Sequence, residues 1–211
     1  MENIAIIGLG CRFPKAETPE AFWQLMSNGI NAITEVPVDR WDIDKFYDPQ
    51  PATQGKMNTR WGGFLSQVDG FDPLFFNISP REAERMDPQQ RLFLETAWEA
   101  LENAGLATDK LAGTQTGVFT AMAVVNYDQL LYKNVTDLTQ ISAYDGLGTT
   151  LSLASSRLSY LLDLKGPSLA IETACSSSLV AVHLACQSLR TGESNLCVVG
   201  GVNLILTPEL N

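Results

Sequence analysis

The sequence predicts an α/β fold, a sheet with helices on its faces, with one loop-rich aromatic excursion. Three observations carry that expectation. From about residue 105 onward, short β-like runs alternate with helical ones. The chain opens on an apolar run, Ile4-Ala-Ile-Ile7, closed by Gly8-Leu-Gly10. Between these regions, residues 34–80 hold Trp41, Phe46, Tyr47, Trp61, Phe64, Phe71, Phe75 and Phe76 among prolines and glycines with little periodicity.

Taken in order, Ile4–Gly8 reads as a buried strand running into a tight turn. Thr18 and Pro19 form an N-cap and first helical residue, with Phe22, Leu25 and Met26 on one face and Gly29 as the stop. Residues 34–80 read as a packed excursion, because disordered segments are poor in aromatics. Asp87 and Pro88 start a second helix, in which Leu94, Ala97, Trp98 and Leu101 recur at helical spacing before Gly105. Gly117–Ala121 is the next strand, residues 149–162 a helix and Ser168–Thr173 a strand. Ser176–Arg190 forms a further helix, and Leu196–Val202 and Leu204–Leu206 are the closing strands.

The 211 residues are 45% apolar and 18% charged, the composition of a soluble globular chain. No apolar run is long enough to span a bilayer, and the start has no basic, apolar leader, which places the chain in the cytoplasm. With 24 acidic and 14 basic residues the net charge is −10, which argues against nucleic acid or an anionic membrane as partner. An acidic protein partner would need a local basic patch. No repeat or low-complexity stretch interrupts the chain.

Four cysteines, Cys11, Cys175, Cys186 and Cys197, show no CxxC pairing, and the single histidine, His183, gives no Cys/His metal site. Asp69, Asp72, Asp87 and Glu172 lack metal-loop spacing, and Asp87 is better explained as a helix cap. Gly8-Leu-Gly10 lacks the third glycine of a dinucleotide site, Gly200-Gly201 precedes a strand rather than a helix, and no P-loop is present. These glycines read as turns and close backbone packing.

Ser168-Leu-Ala-Ile-Glu-Thr-Ala-Cys-Ser-Ser-Ser178 is the stretch with chemical content. A strand leads into three serines and an apolar helix, so Cys175 falls at the strand-to-helix turn. There the positive end of the helix dipole favours the thiolate, and the helix's first N–H groups are placed to stabilise an oxyanion on an attacked thioester. The competing reading is a buried cysteine among capping serines, and spacing alone leaves both open. Cys186, in an apolar helix, Cys197, in an apolar strand, and Cys11, in a turn, read as packing residues. His183 lies eight residues further along the same helix, roughly 12 Å of axial rise, beyond reach as a general base for Cys175. A structural histidine packed in the helix is the expectation there.

Three ordered blocks resemble a known family. Ile4-Ala-Ile-Ile-Gly-Leu-Gly-Cys-Arg-Phe-Pro14 is similar to the opening of polyketide ketosynthases. Met86-Asp-Pro-Gln-Gln-Arg-Leu-Phe-Leu-Glu-Thr-Ala-Trp-Glu-Ala-Leu-Glu-Asn-Ala-Gly105 resembles their central signature, and Glu172-Thr-Ala-Cys-Ser-Ser-Ser178 their active-site block. Lys165-Gly-Pro-Ser168 and Gly200-Gly-Val-Asn203 also fit. The chain thus resembles the amino-terminal half of a β-ketoacyl synthase domain of a modular type I polyketide synthase. Residues 1–211 are expected to form this amino-terminal part, with 34–80 a surface elaboration and the carboxy-terminal half absent.

The resemblance implies the first half of a thiolase-like fold, a mostly parallel mixed sheet flanked by helices, with the five strands above in one sheet and Ser168–Thr173 paired across a homodimer axis. It implies an acyltransferase whose nucleophile is Cys175. A carrier protein would present an acyl thioester on its phosphopantetheine arm, and a malonyl-type unit would then decarboxylate and attack the acyl-cysteine. No directly bound cofactor is implied. The histidines serving that second stage lie, in the family, further along than Asn211, so full condensation by this chain alone is not expected. Loss of the second half is expected to expose apolar surface and invite aggregation or partner binding. Met1, almost directly before the first strand, leaves no room on this chain for a docking helix. Two other readings stand beside this one: a non-catalytic interaction or dimerisation scaffold, and a degradative enzyme acting on coenzyme A thioesters. The 86–105 block resembles polyketide synthases much more than the latter.

Overall fold

The computed structural model describes residues 3–123, 126–133, 137, 139 and 141–208. Contacts divide the chain into two units, one of residues 1–10 and 69–203, the other of residues 11–68 and 204–211.

A three-stranded parallel sheet organises the first unit. Its strands are β3 (Thr116–Ala121), β4 (Ser168–Ile171) and β5 (Leu196–Gly201), in the spatial order β4-β3-β5. Strand β3 lies in the middle and every residue of it is buried, as its β-branched and aromatic content between two partners requires. Its side chains alternate between two cores. Val118 faces α4 (Pro88–Asn103) and α7 (Ser152–Leu161), among Met86, Phe93, Leu94, Ala97, Leu101, Leu158 and Leu162. Phe119 and Ala121 face α8 (Ser177–Thr191), with Ile171, Ala181 and Ala185. Helices thus cover both faces of a parallel sheet, the arrangement expected when strands and helices alternate. Two shorter helices, α5 (Tyr127–Tyr132) and α6 (Ala143–Thr149), lie between β3 and α7 in the chain.

Helix α4 forms where its sequence says it should. Asp87 caps it by accepting a hydrogen bond from the Gln89 N–H at 2.8 Å, and Pro88 holds the first helical position. Leu94, Ala97 and Leu101 are buried at the expected spacing, each large side chain contributing about 2 kcal/mol by leaving water. Phe71, Phe75 and Phe76 close the outer side of this core, with Phe75 meeting Trp98 edge to face at 4.8 Å and Phe71 stacking on Phe76 at 5.2 Å.

The second unit has its own small core of Val36, Trp41, Met57 and Phe64, with Ile43, Phe46 and Ile205 packed against it. It holds α1 (Pro19–Ser27), capped by the Thr18 hydroxyl, the short α2 (Ile43–Phe46), and an antiparallel pair of β1 (Thr34–Glu35) with β2 (Trp61–Gly62). The aromatic excursion is packed, as expected, but it divides. Trp41 and Phe64 serve the second unit, whereas Phe71, Phe75, Phe76 and α3 (Pro80–Ala83) belong to the first.

Two expected strands do not form. Residues 4–8 stand outside the sheet, and the chain meets α4 at residues 8–10. A Cβ on Gly8 would stand 2.2 Å from the Ala100 carbonyl oxygen, and one on Gly10 2.5 Å from that of Thr96, so the bare backbone itself is the contact. The Leu9 N–H donates to the Asn103 side chain at 3.0 Å, while Ile6 and Ile7 remain exposed. An apolar run reads the same in sequence whether or not a strand lies alongside to receive it. Residues 204–206 also leave the sheet: the last ladder-like contact is the Val202 N–H to the Ala121 carbonyl at 3.0 Å, after which Ile205 enters the second unit's core.

Candidate active site

Strand β4 ends at Ile171, the residues Ala174–Ser176 form one 3-10 turn, and α8 begins at Ser177. Cys175 sits at the centre of that turn and is exposed. The site therefore lies beyond the carboxyl end of a parallel strand, where open α/β sheets present their functional groups. Ala174 takes φ +52°, a left-handed conformation that a side chain disfavours.

The serines do not cap the helix. Ser176 occupies the N-cap position of α8 without a side-chain cap bond. Its hydroxyl instead donates to the Thr173 carbonyl at 2.7 Å. Ser177, buried, accepts from the Thr173 N–H at 2.8 Å and donates to the Ala174 carbonyl at 2.7 Å. Both hydroxyls turn back on the segment carrying the strained residue. Exposure of Cys175 removes the reading of it as a buried packing thiol. Sequence reasoning placed this cysteine at the turn but missed the positive φ before it and the inward use of the serines. A run of three serines carries no signal that separates capping from turn-locking.

Helix α8 differs from expectation on its outer side. Ala181 and Ala185 are buried against the sheet, but Leu179 is 77% exposed and Val182 47%. His183 is exposed rather than packed, and Cys186 is half-buried rather than core. Only one face of α8 has a neighbour among the described residues, so its apolar outer stripe has nothing to bury against. Cys197 behaves as expected: it packs beside Phe119 and Ala185, and burial pushes its thiol above the ordinary range while a hydrogen bond with Ser194 pulls the other way. Cys11 is half-buried. Among the described residues, no cluster of histidine, cysteine or carboxylate side chains could hold a metal ion, and no helix is long and apolar enough to cross a membrane.

A buried polar cluster at the start of α4 was legible only as a motif. The Gln90 amide donates to the carbonyls of Gly148 at 2.8 Å and Thr150 at 3.1 Å, and Gln90 in turn accepts from the Arg157 guanidinium at 3.0 Å. Arg157 also pairs with Glu82 at 2.5 Å, and Arg85 with the buried Asp145 at 3.1 Å. The Asp87 N–H donates to the Gly148 carbonyl at 2.9 Å. Burial raises the Asp87 carboxyl above the usual carboxylate range, against the opposing pull of the Gln89 hydrogen bonds and the Arg91 charge. These contacts join α4 to α6 and α7. They do not include Cys175.

Comparison with known proteins places this geometry. Residues 1–210 match the family described as β-ketoacyl synthase, N-terminal domain. One subunit of the phenolphthiocerol/phthiocerol polyketide synthase of Mycobacterium tuberculosis (strain CDC 1551 / Oshkosh) is 53% identical over 208 residues, which are 98% of this chain and 11% of that protein. Another subunit of the same synthase, from the same strain, is 52% identical over 209 residues, 99% of this chain and 13% of the relative. The chain thus spans about an eighth of the length of these relatives. Among solved structures, the oxazolomycin ketosynthase domain OzmH KS7 of Streptomyces albus JA3453 superposes with a TM-score of 0.84 at 41% identity, over 96% of this chain and 34% of that one. The ketosynthase from module 6 of the bacillaene synthase of Bacillus subtilis 168 gives 0.83 at 40% identity, over 97% and 32%. The α/β architecture is that of the thiolase-like ketosynthases, and the chain belongs to the β-ketoacyl synthase family, of which it represents the N-terminal domain.

Proposed function

We propose that this chain is the nucleophile-bearing part of a polyketide-synthase condensing domain, and that Cys175 accepts the growing acyl group from an acyl carrier protein. The observation that carries the reading is the exposed thiol at a strained strand-to-helix turn, directly before the fifteen-residue helix α8. The Cys175 sulfur attacks the thioester carbonyl, the carbon–sulfur bond to the phosphopantetheine arm breaks, and the proton leaves with the departing thiol. The first N–H groups of α8 and its positive dipole end lie on the side where charge gathers on the carbonyl oxygen. His183, exposed and eight residues beyond Cys175 in the chain, takes no part.

Decarboxylation of a malonyl-type unit and its attack on the acyl-cysteine complete the reaction in this reading, with bases that this sequence does not supply. Strand β4 is at the edge of its sheet, which supports a homodimer in which two such strands pair. The exposed Leu179 and Val182 support a further layer of the same enzyme packing on α8. A cytoplasmic location, with thioesters as the only small ligands and no resident cofactor, goes with this chemistry.

Intact-mass analysis after incubation with an acyl-pantetheine thioester tests the proposal. The expected result is one acyl adduct, mapped to the peptide bearing Cys175 and lost in Cys175→Ala with the melting temperature unchanged. Equal loading of variant and parent would overturn the assignment.

A further inference from the structure

We infer that Ser177 is a positioning residue for the nucleophile: its hydroxyl holds Ala174 in the left-handed conformation that presents Cys175 at the start of α8. The inference rests on the reading of Cys175 as the acyl acceptor. The geometry that carries it is a single hydroxyl bonded on both sides of the turn. It accepts from the Thr173 N–H at 2.8 Å and donates to the Ala174 carbonyl at 2.7 Å, so it ties together the peptide groups that flank the Thr173–Ala174 junction. A hydroxyl is the smallest side-chain group that accepts and donates at once, and here it is buried, 5% exposed, where water does not readily replace it.

Ala174 needs that restraint. Its φ of +52° is a conformation that a residue with a Cβ leaves readily for the right-handed or extended region unless its surroundings hold it. Either relaxation would rotate the next residue, Cys175, away from its present direction. Ser176 supplies a second restraint from the exposed side, donating to the Thr173 carbonyl at 2.7 Å and approaching the Thr173 hydroxyl at 2.9 Å. The division of labour is therefore one buried clamp that fixes φ at Ala174 and one exposed tether on Thr173. Neither hydroxyl is required to touch the acyl group.

The test compares Ser177→Ala, Ala174→Gly and the double variant with the parent chain, using an acyl-pantetheine thioester and, separately, iodoacetamide as probes of Cys175. Loss of the two hydrogen bonds is expected to lower the loading rate at saturating thioester, and the alkylation rate, by roughly tenfold, with the half-saturating concentration little changed. Glycine takes positive φ without strain. Ala174→Gly in the Ser177→Ala background is therefore expected to recover much of both rates, and also to recover folding should the single variant be too unstable to assay. A hydroxyl that served only to fill space would not be rescued from position 174. Parent-like rates in Ser177→Ala, or a double variant no faster than the single, overturn the inference and leave the nucleophile reading intact. A parent that takes no acyl group overturns the nucleophile reading, and the alkylation rates then decide the role of Ser177 by the same comparison.

Discussion

Asp87 shows how one carboxyl serves two purposes in this fold. It caps α4 through the Gln89 N–H, yet it is fully buried, and burial lifts its proton affinity above the ordinary value of about 3.9. The folded state therefore binds the Asp87 proton more tightly than the unfolded chain does. The stability this group contributes is complete below about pH 4 and declines as the pH rises through the folded-state value. Asn keeps the capping oxygen and removes the charge. The melting temperature of Asp87→Asn, minus that of the parent, is expected to grow more favourable to the variant from about pH 4 to about pH 7; a difference that stays flat across that range would contradict the assignment. The cap itself was legible in sequence, because Asp-Pro before a periodic apolar run has a local meaning. Its burial was not, because the covering residues, such as Gly148, lie far along the chain.

Among the elements, α6 and α7 show what local pattern could and could not reveal. The expected helix over residues 149–162 is α7, but α6 was not foreseen, since Ala143–Thr149 contains two glycines and little periodicity. The second of those glycines is fixed by packing. A Cβ on Gly148 would lie 1.8 Å from the Arg85 carbonyl oxygen, which is backbone and does not swing aside. Gly148→Ala is expected to destabilise the protein by about 3 kcal/mol, read as a lower denaturation midpoint at unchanged slope. A parent-like midpoint would mean that α6 has room to move. Helices α1 and α4 were legible to within a residue or two because each carries its own cap and its own stripe. The strands at 4–8 and 204–206 were misread for the converse reason: a strand is defined by its neighbour, which no local pattern supplies.

At the scale of the whole molecule, the fold class and the place of Cys175 at a strand-to-helix turn were readable, because alternation of strand and helix allows few topologies, whereas the spatial order β4-β3-β5 was not. Which side of α8 would be uncovered was not readable, since its sequence is apolar nearly all round. Leu179 and Val182 now mark the exposed stripe, and they set the solution behaviour expected of this chain. Sedimentation of the parent is expected to show concentration-dependent self-association, and Leu179→Lys with Val182→Lys to reduce it without lowering the melting temperature. Association of equal strength in the double variant would direct attention to the edge of β4 instead.

The cluster around Gln90 and Arg157 gives the start of the 86–105 block a meaning separate from chemistry. These contacts form a latch: the Gln90 amide and the Asp87 backbone N–H fasten the beginning of α4 onto the carbonyls at the end of α6, and the Arg157 guanidinium ties Gln90 to α7. Finding that block in a sequence thus reports that the scaffold is assembled, much as an intact hinge shows that a door is hung without revealing whether its lock works. A chain with the latch but a different residue at position 175 is expected to fold like this one and to carry no acyl group.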